Sequence, residues 1–313
     1  MGRTIIFLIL AFLLNASCSS DSSPKPQTPT DPWSRILTGI NTTLLGVSFV
    51  SSDIGFMSGT DGYIAKTSDG GKTWSIQTSG TTKFLRDIYF FDSQTGTVVG
   101  ESGLIMRTIN GGTTWTTQAS GTTEHLVHVH FINSNIGIAT GQGGTILKTI
   151  NGGTNWVAQV SSTTVELSGV FMISDQTIFI VGFSGKMLRT TNGGTSWTPF
   201  SSGTTQDLRS VFFSNASTGT AVGINGVLLR TLDGGQNWTS VAPAGSTGDL
   251  YSVCQIDMNT IIVAGTGRLL KSGDGGMTWD TKSGISGDLY ALSFFGSNAW
   301  AAGQSGQVYK YEP

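Results

Sequence analysis

Charge and cysteine are scarce in this chain of 313 residues. Charged side chains make up 12%, with 17 Lys and Arg against 19 Asp and Glu for a formal charge of −2. The basic residues read as scattered singly, which excludes a nucleic-acid surface built on a cationic patch. Two cysteines, Cys18 and Cys254, allow one disulfide at most. No stretch carries a helical apolar period, so the chain reads as all-β. The apolar run over residues 5–14 is too short to cross a bilayer. No phosphate cradle is present either, because the Gly-Gly pairs precede strands rather than helices.

Glycine is what the chain has in excess, at 44 residues, about twice the usual share. Most of it sits in one recurring string. TSDGGKTW at residues 67–74 returns as TINGGTTW, TINGGTNW, TTNGGTSW, TLDGGQNW and SGDGGMTW, ending at Trp115, Trp156, Trp197, Trp238 and Trp279, each 41 residues after the last. A fixed period of that length, punctuated by Gly and an aromatic, signals a propeller whose repeats are small four-stranded sheets.

The string reads as a clip between the third and fourth strands of a blade. Asp69, Asn110, Asn151, Asn192, Asp233 and Asp274 are expected to bond the backbone two residues on, with the Gly pair supplying positive φ. Each Trp is expected to fold under the turn and offer its N–H to a loop carbonyl.

The pattern Ser/Thr-x-Asp/Asn-Gly-Gly-x-Thr/Asn-Trp resembles the Asp-box, or BNR, repeat of sialidases, xyloglucanases and the photosystem II assembly-factor family. The resemblance covers nearly all of the chain from Trp33 onward and implies a seven-bladed propeller. In those families the Asp-box sits away from the working face.

Blade counting agrees. Period-2 strands open at Leu44, Leu85, Leu126, Leu167, Leu208, Leu250 and Leu289, seven in all, against six clips. Trp33 lies 41 residues before Trp74. Residues 33–37 therefore read as a lone fourth strand that pairs with the last strand, residues 307–311, and closes the final blade without an open edge. The propeller is expected over residues 33–313.

Residues 1–17 resemble a bacterial lipoprotein signal, with Arg3, the apolar run and then Asn15-Ala16-Ser17-Cys18. Asn15 stands where Leu is usual. The resemblance implies cleavage before Cys18, lipid on its thiol and placement in the cell envelope, by Ser19 at the outer membrane; ordinary secretion or a periplasmic location is the alternative. With Cys18 acylated, Cys254 has no disulfide partner. Residues 18–32, rich in Ser, Thr and Pro, have a tether's composition.

In a propeller the starts of the first strands and the turns between second and third strands share one face, at the mouth of the central channel, and loops on a rigid scaffold concentrate binding residues. The residues flanking the leading leucines are candidates for a partner surface: Phe84, Arg86, His125, Glu166, Asp207, Arg209, Asp249, Tyr251, Asp288 and Tyr290, joined by Phe183 from a turn. The turns were aligned on Asp61, Glu101, Gln142, Phe183, Asn225, Thr266 and Gln304. The alternative reading makes the acids turn formers and the arginines solvated. Arg86 and Arg209 share one register; the photosystem II assembly factors are similar in presenting arginines on one face to a client protein, and two of seven blades match here.

All three histidines, His125, His128 and His130, fall in EHLVHVH. A metal site there competes with packed imidazoles, and packing is the reading adopted, with no metal and no cofactor expected. Glu166, Asp207, Asp249 and Asp288 could supply a glycosidase pair, but the arginine triad and Tyr–Glu pair of sialidases are missing, and so is the second propeller of xyloglucanases. The expectation is a non-enzymatic scaffold or assembly aid for a membrane or exported complex, with another envelope protein as partner. A glycan-binding or glycosidase-like propeller using the acidic and aromatic mouth is the alternative.

Overall fold

The computed structural model describes residues 31–243, 245–282 and 284–313. The expected signal segment, Cys18 and the tether through residue 30 lie outside them. Residues Pro32–Pro313 form one compact unit. It is a seven-bladed all-β propeller of four-stranded antiparallel meanders. Blade 1 runs Leu44–Phe49, Gly55–Gly59, Ile64–Thr67 and Ser75–Gln77. The other inner strands are Leu85–Phe90, Leu126–Phe131, Leu167–Met172, Leu208–Phe213, Leu250–Gln255 and Leu289–Phe295. They pack side by side in a closed circuit, with blade 7 against blade 1.

The seven expected leading leucines open these strands, and each is 0% exposed. Burying one contributes roughly 1.5–3 kcal/mol. The core lies between blades rather than within one. Leu44, Val47, Phe49 and Met57 of blade 1 share a cluster with Trp300, Ala302 and Val308 of blade 7. Phe49 and Trp300 stack there at 3.6 Å, and the Trp300 Nε1–H donates to the Gly70 carbonyl at 3.0 Å.

The termini share blade 7. Trp33–Ile36 pairs with Val308–Tyr311, Trp33 opposite Tyr311. Each strand is one residue shorter than expected: Leu37 is 83% exposed and has no face to bury, and Gln307 closes the preceding turn by donating its N–H to the Gln304 carbonyl at 3.2 Å. The seam is held as the other junctions are. Ser293 Oγ accepts the Phe49 N–H across it at 2.8 Å, as Ser48 Oγ accepts that of Phe90 at 3.0 Å.

The clips join third to fourth strands as expected, and both glycines take positive φ, 75° at Gly70 and 94° at Gly71. The side-chain bonding differs from expectation. Asp69 reaches four residues on rather than two, its Oδ1 accepting the Thr73 N–H at 2.9 Å, because the left-handed glycines curl the chain back over the carboxylate. Residue Thr67 caps the turn from the other side, its Oγ1 accepting the Gly71 N–H at 2.9 Å. The Trp N–H finds a carbonyl at Trp74 and Trp279, and a side-chain oxygen, Gln118 Oε1, at Trp156. At Trp115, Trp197 and Trp238 it is buried without a partner. Packing holds these rings more than bonding does: Trp74, Trp115, Trp156 and Trp238 meet the last Phe of their own inner strand edge-on, near 6 Å.

The basic residues are also less scattered than they read. The third strand of every blade carries one, at Lys66, Arg107, Lys148, Arg189, Arg230, Lys271 and Lys310. Lys66 and Arg107 donate to carbonyls of the next blade, Gly111 at 3.1 Å and Ser134 at 2.6 Å, and Lys148 donates to Gly193. These three cations latch neighbouring blades together on the clip side.

Candidate functional site at the channel mouth

Every inner strand is bulged straight after its leading leucine, where the register slips by one residue. A bulge re-aims side chains. Two consecutive residues per blade then face the axis, and among them Arg86 and Asp87, Val127 and His128, Arg209 and Ser210, and Tyr251 and Ser252 line one cavity of about 210 Å³ at the mouth. The turns between second and third strands close over the same end. Their first residue donates its N–H to the carbonyl before the leucine, as Glu101 does to Phe84 at 3.1 Å. By this register the turns begin at Thr60 and Ile224, one residue ahead of the expected Asp61 and Asn225, which adopt left-handed φ of 58° and 55°.

Of the expected residues, Arg86, Glu166, Arg209, Tyr251 and Tyr290 line the cavity. Arg86 Nη2 stands 3.9 Å from Glu101 Oε1; Arg209 stands 3.9 Å from Glu166 and 3.8 Å from Asp207, its guanidinium 4.5 Å over the Phe183 ring. These separations are too long for hydrogen bonds. The Nε atoms of both arginines are cut off from solvent with no partner. The Nη groups are what the mouth presents, on side chains 36% and 29% exposed, at ion-pair distance from acids without a hydrogen bond to them.

Tyr251 and Tyr290 form the opposite kind of wall. Their rings are 5.1 Å apart and tilted by 55°, and both hydroxyls donate to Asp288 Oδ2 at 3.4 Å. Burial, and then the Asp288 charge, pushes the Tyr290 phenol up to about 12.

His125, Asp207 and Asp249 share another task. Each accepts the N–H of the left-handed turn residue in the preceding blade: His125 Nδ1 from Ser102 at 2.9 Å, Asp207 Oδ1 from Ser184 at 2.9 Å and Asp249 Oδ1 from Asn225 at 3.0 Å. They fix the rim, each tying its own blade to the turn of the one before. Phe84, half-buried, donates its N–H to Glu101 Oε2 at 3.1 Å and is not among the cavity-lining residues.

Sequence reading passed over Asp87, the second residue of its bulge. Its side chain is only 16% exposed and its carboxyl is shifted up by burial, against the pull of His128, whose Nδ1 is 3.6 Å away. Asp87 Oδ2 accepts the Val129 N–H of the next blade at 2.9 Å. Blade alignment held the one available signal, since an acid stands where other blades carry Gly46, Gly169, Ser210, Ser252 and Ala291. His130 packs between Tyr89 and Phe171, and burial, with a smaller contribution from His128, drives its imidazole down to about 3. Among the described residues no cluster of His, Cys, Asp or Glu is placed to hold a metal ion.

Solved structures with this architecture are similar throughout. YCF48 bound to D1 peptide is 22% identical, with a TM-score of 0.77 over 90% of this chain and 97% of that one. YCF48 from Cyanidioschyzon merolae is 21% identical, with a TM-score of 0.76 over 90% and 98%. The GH74 enzyme of Niastella koreensis, 16% identical, has a TM-score of 0.71 over 89% of this chain and 53% of that one, so the chain spans about half of it. No curated protein sequence matches. The family model described as photosynthesis system II assembly factor YCF48 matches residues 25–164 and 159–246, more than half of the chain, and the protein belongs to that family.

Proposed function

We propose that this protein is a non-enzymatic assembly factor of the bacterial envelope, lipid-anchored at Cys18, which holds an extended, acid-bearing segment of a client protein at the channel mouth. The observation that carries the reading is the Arg86 and Arg209 pair, two guanidinium groups with unspent donors on a rigid ring. A carboxylate offered to such a group forms short charge-assisted hydrogen bonds, each contributing roughly 1.5–3 kcal/mol. A relative in the same family is seen with a peptide of D1 bound, which supports a peptide as the class of ligand.

A peptide array probed with the purified protein tests this. Acid-bearing extended peptides should bind, and Arg86→Glu with Arg209→Glu should weaken them about tenfold or more without moving the melting temperature. Binding indifferent to both substitutions would sink the proposal. One observation favours a second reading, a glycan: the tilted Tyr251 and Tyr290 pair beside Asp288 offers a stacking wall. A glycan array should then give hits that vanish in Tyr251→Ala with Tyr290→Ala.

A further inference from the structure

The mouth opens into a deeper cavity. Asp87, His128, Val47, Ser210, Ser252 and Leu292 line both the rim cavity and a second one of about 350 Å³ below it. The wall of this lower chamber is a run of rings. Tyr89, His130, Phe171 and Phe212, each the fourth residue past its leading leucine, contact in turn at 5.0, 4.9 and 4.8 Å, and Phe294 joins Phe212 at 5.6 Å. Such a wall takes a flat apolar group by edge and face contacts.

Polar capacity is left over in the same place. Each Asp87 oxygen accepts one backbone N–H, from Ile88 at 2.9 Å and from Val129 at 2.9 Å, so the carboxylate keeps acceptor sites free. A ligand that brings a hydrogen-bond donor can use those sites. A volume of 350 Å³ is at the lower end for a whole small-molecule ligand and ample for one side chain.

We propose that this chamber is an anchor pocket for a single phenolic side chain, a tyrosine of the client segment held at the rim. A phenol donates: its hydroxyl suits the Asp87 carboxylate, which phenylalanine would leave unmet. The inference rests on the peptide-binding reading and adds to it the residue that enters the ring.

The test uses N-acetyl-tyrosinamide, N-acetyl-phenylalaninamide and N-acetyl-alaninamide with the isotope-labelled full-length protein in NMR titrations. The tyrosine amide should shift Phe171 and Phe212 ring resonances saturably, with the phenylalanine amide about tenfold weaker and the alanine amide silent. Asp87→Ala, which puts there the small residue that other blades carry, should bring the tyrosine amide down to the phenylalanine level. Equal affinity for the two aromatic amides, shifts confined to Tyr251 and Tyr290, or no saturable shift would each overturn the pocket. Should the peptide array respond to the arginines while the amides fail, the pocket falls and the rim site stands.

Discussion

Trp33 lies opposite Tyr311 in an antiparallel pair, ring centroids 5.2 Å apart and planes at 55°. Both are buried in a cluster that extends into blade 6 through Cys254 and Ile262. This contact is the seam of the ring, and no disulfide backs it up, since Cys254 is a free buried thiol. Trp33→Ala should cost about 3–5 kcal/mol in urea unfolding, the usual penalty for deleting a buried Trp. A loss under about 1 kcal/mol would mean that the first strand does not staple the ring.

Acid should loosen the clips selectively. Hydrogen bonds from Thr73, Asn237 and Thr278 hold Asp69, Asp233 and Asp274 at about 2 in the folded protein, below the ~3.9 of an unfolded chain. The native state therefore binds fewer protons in that window, and the stabilisation, present above pH ~4, is lost as pH falls toward 2. Blades 2, 3 and 4 carry Asn at this position and lack the dependence. Converting all three acids to Asn should flatten the stability profile between pH 4 and 2; an unchanged slope in chemical denaturation series would refute the assignment.

Gly62 tolerates no side chain. It has a φ of +69°, and a Cβ there would sit 1.8 Å from the Thr81 carbonyl oxygen, which is backbone and has little room to move. Gly62→Ala should lower stability by roughly 1–3 kcal/mol or more. Gly80, with φ +75° and open space around it, separates strain from clash: Gly80→Ala should cost less than Gly62→Ala in parallel thermal melts.

Lipid attachment is open to a direct chemical readout. Cells expressing the protein and fed a radiolabelled fatty acid should label the wild-type chain and leave Cys18→Ser unlabelled. A stable anchor needs more than one acyl chain, so the label should survive a high-salt wash of the membranes. An unlabelled wild type would remove the anchor from the proposal.

Blade count, ring closure and the leading leucines were legible because each depends on spacing, and spacing survives any exchange of side chains. The rim was harder to read. Alternation assumes that a strand keeps its pleat, and the bulge after Leu85 breaks it, so strand alternation gives no cue that Asp87 turns toward the axis beside Arg86. His125 and Asp207 read as ligand groups because a turn N–H in the preceding blade, 23 residues earlier, leaves no trace beside them in the chain. The basic ring hid for a similar reason: Lys66 and Arg107 serve the blade that follows each of them, and single-blade reading sees one isolated cation.

The stapled seam also bears on how the chain is made. Trp33 leaves the ribosome long before Tyr311 exists, so six blades must wait with an unpaired flank until translation finishes. A nascent chain cannot seal itself, and during that interval the unpaired edge of Trp33–Ile36 is open to any extended segment nearby. The closing pair of strands is therefore the last of the ring's sheet pairings that synthesis makes possible.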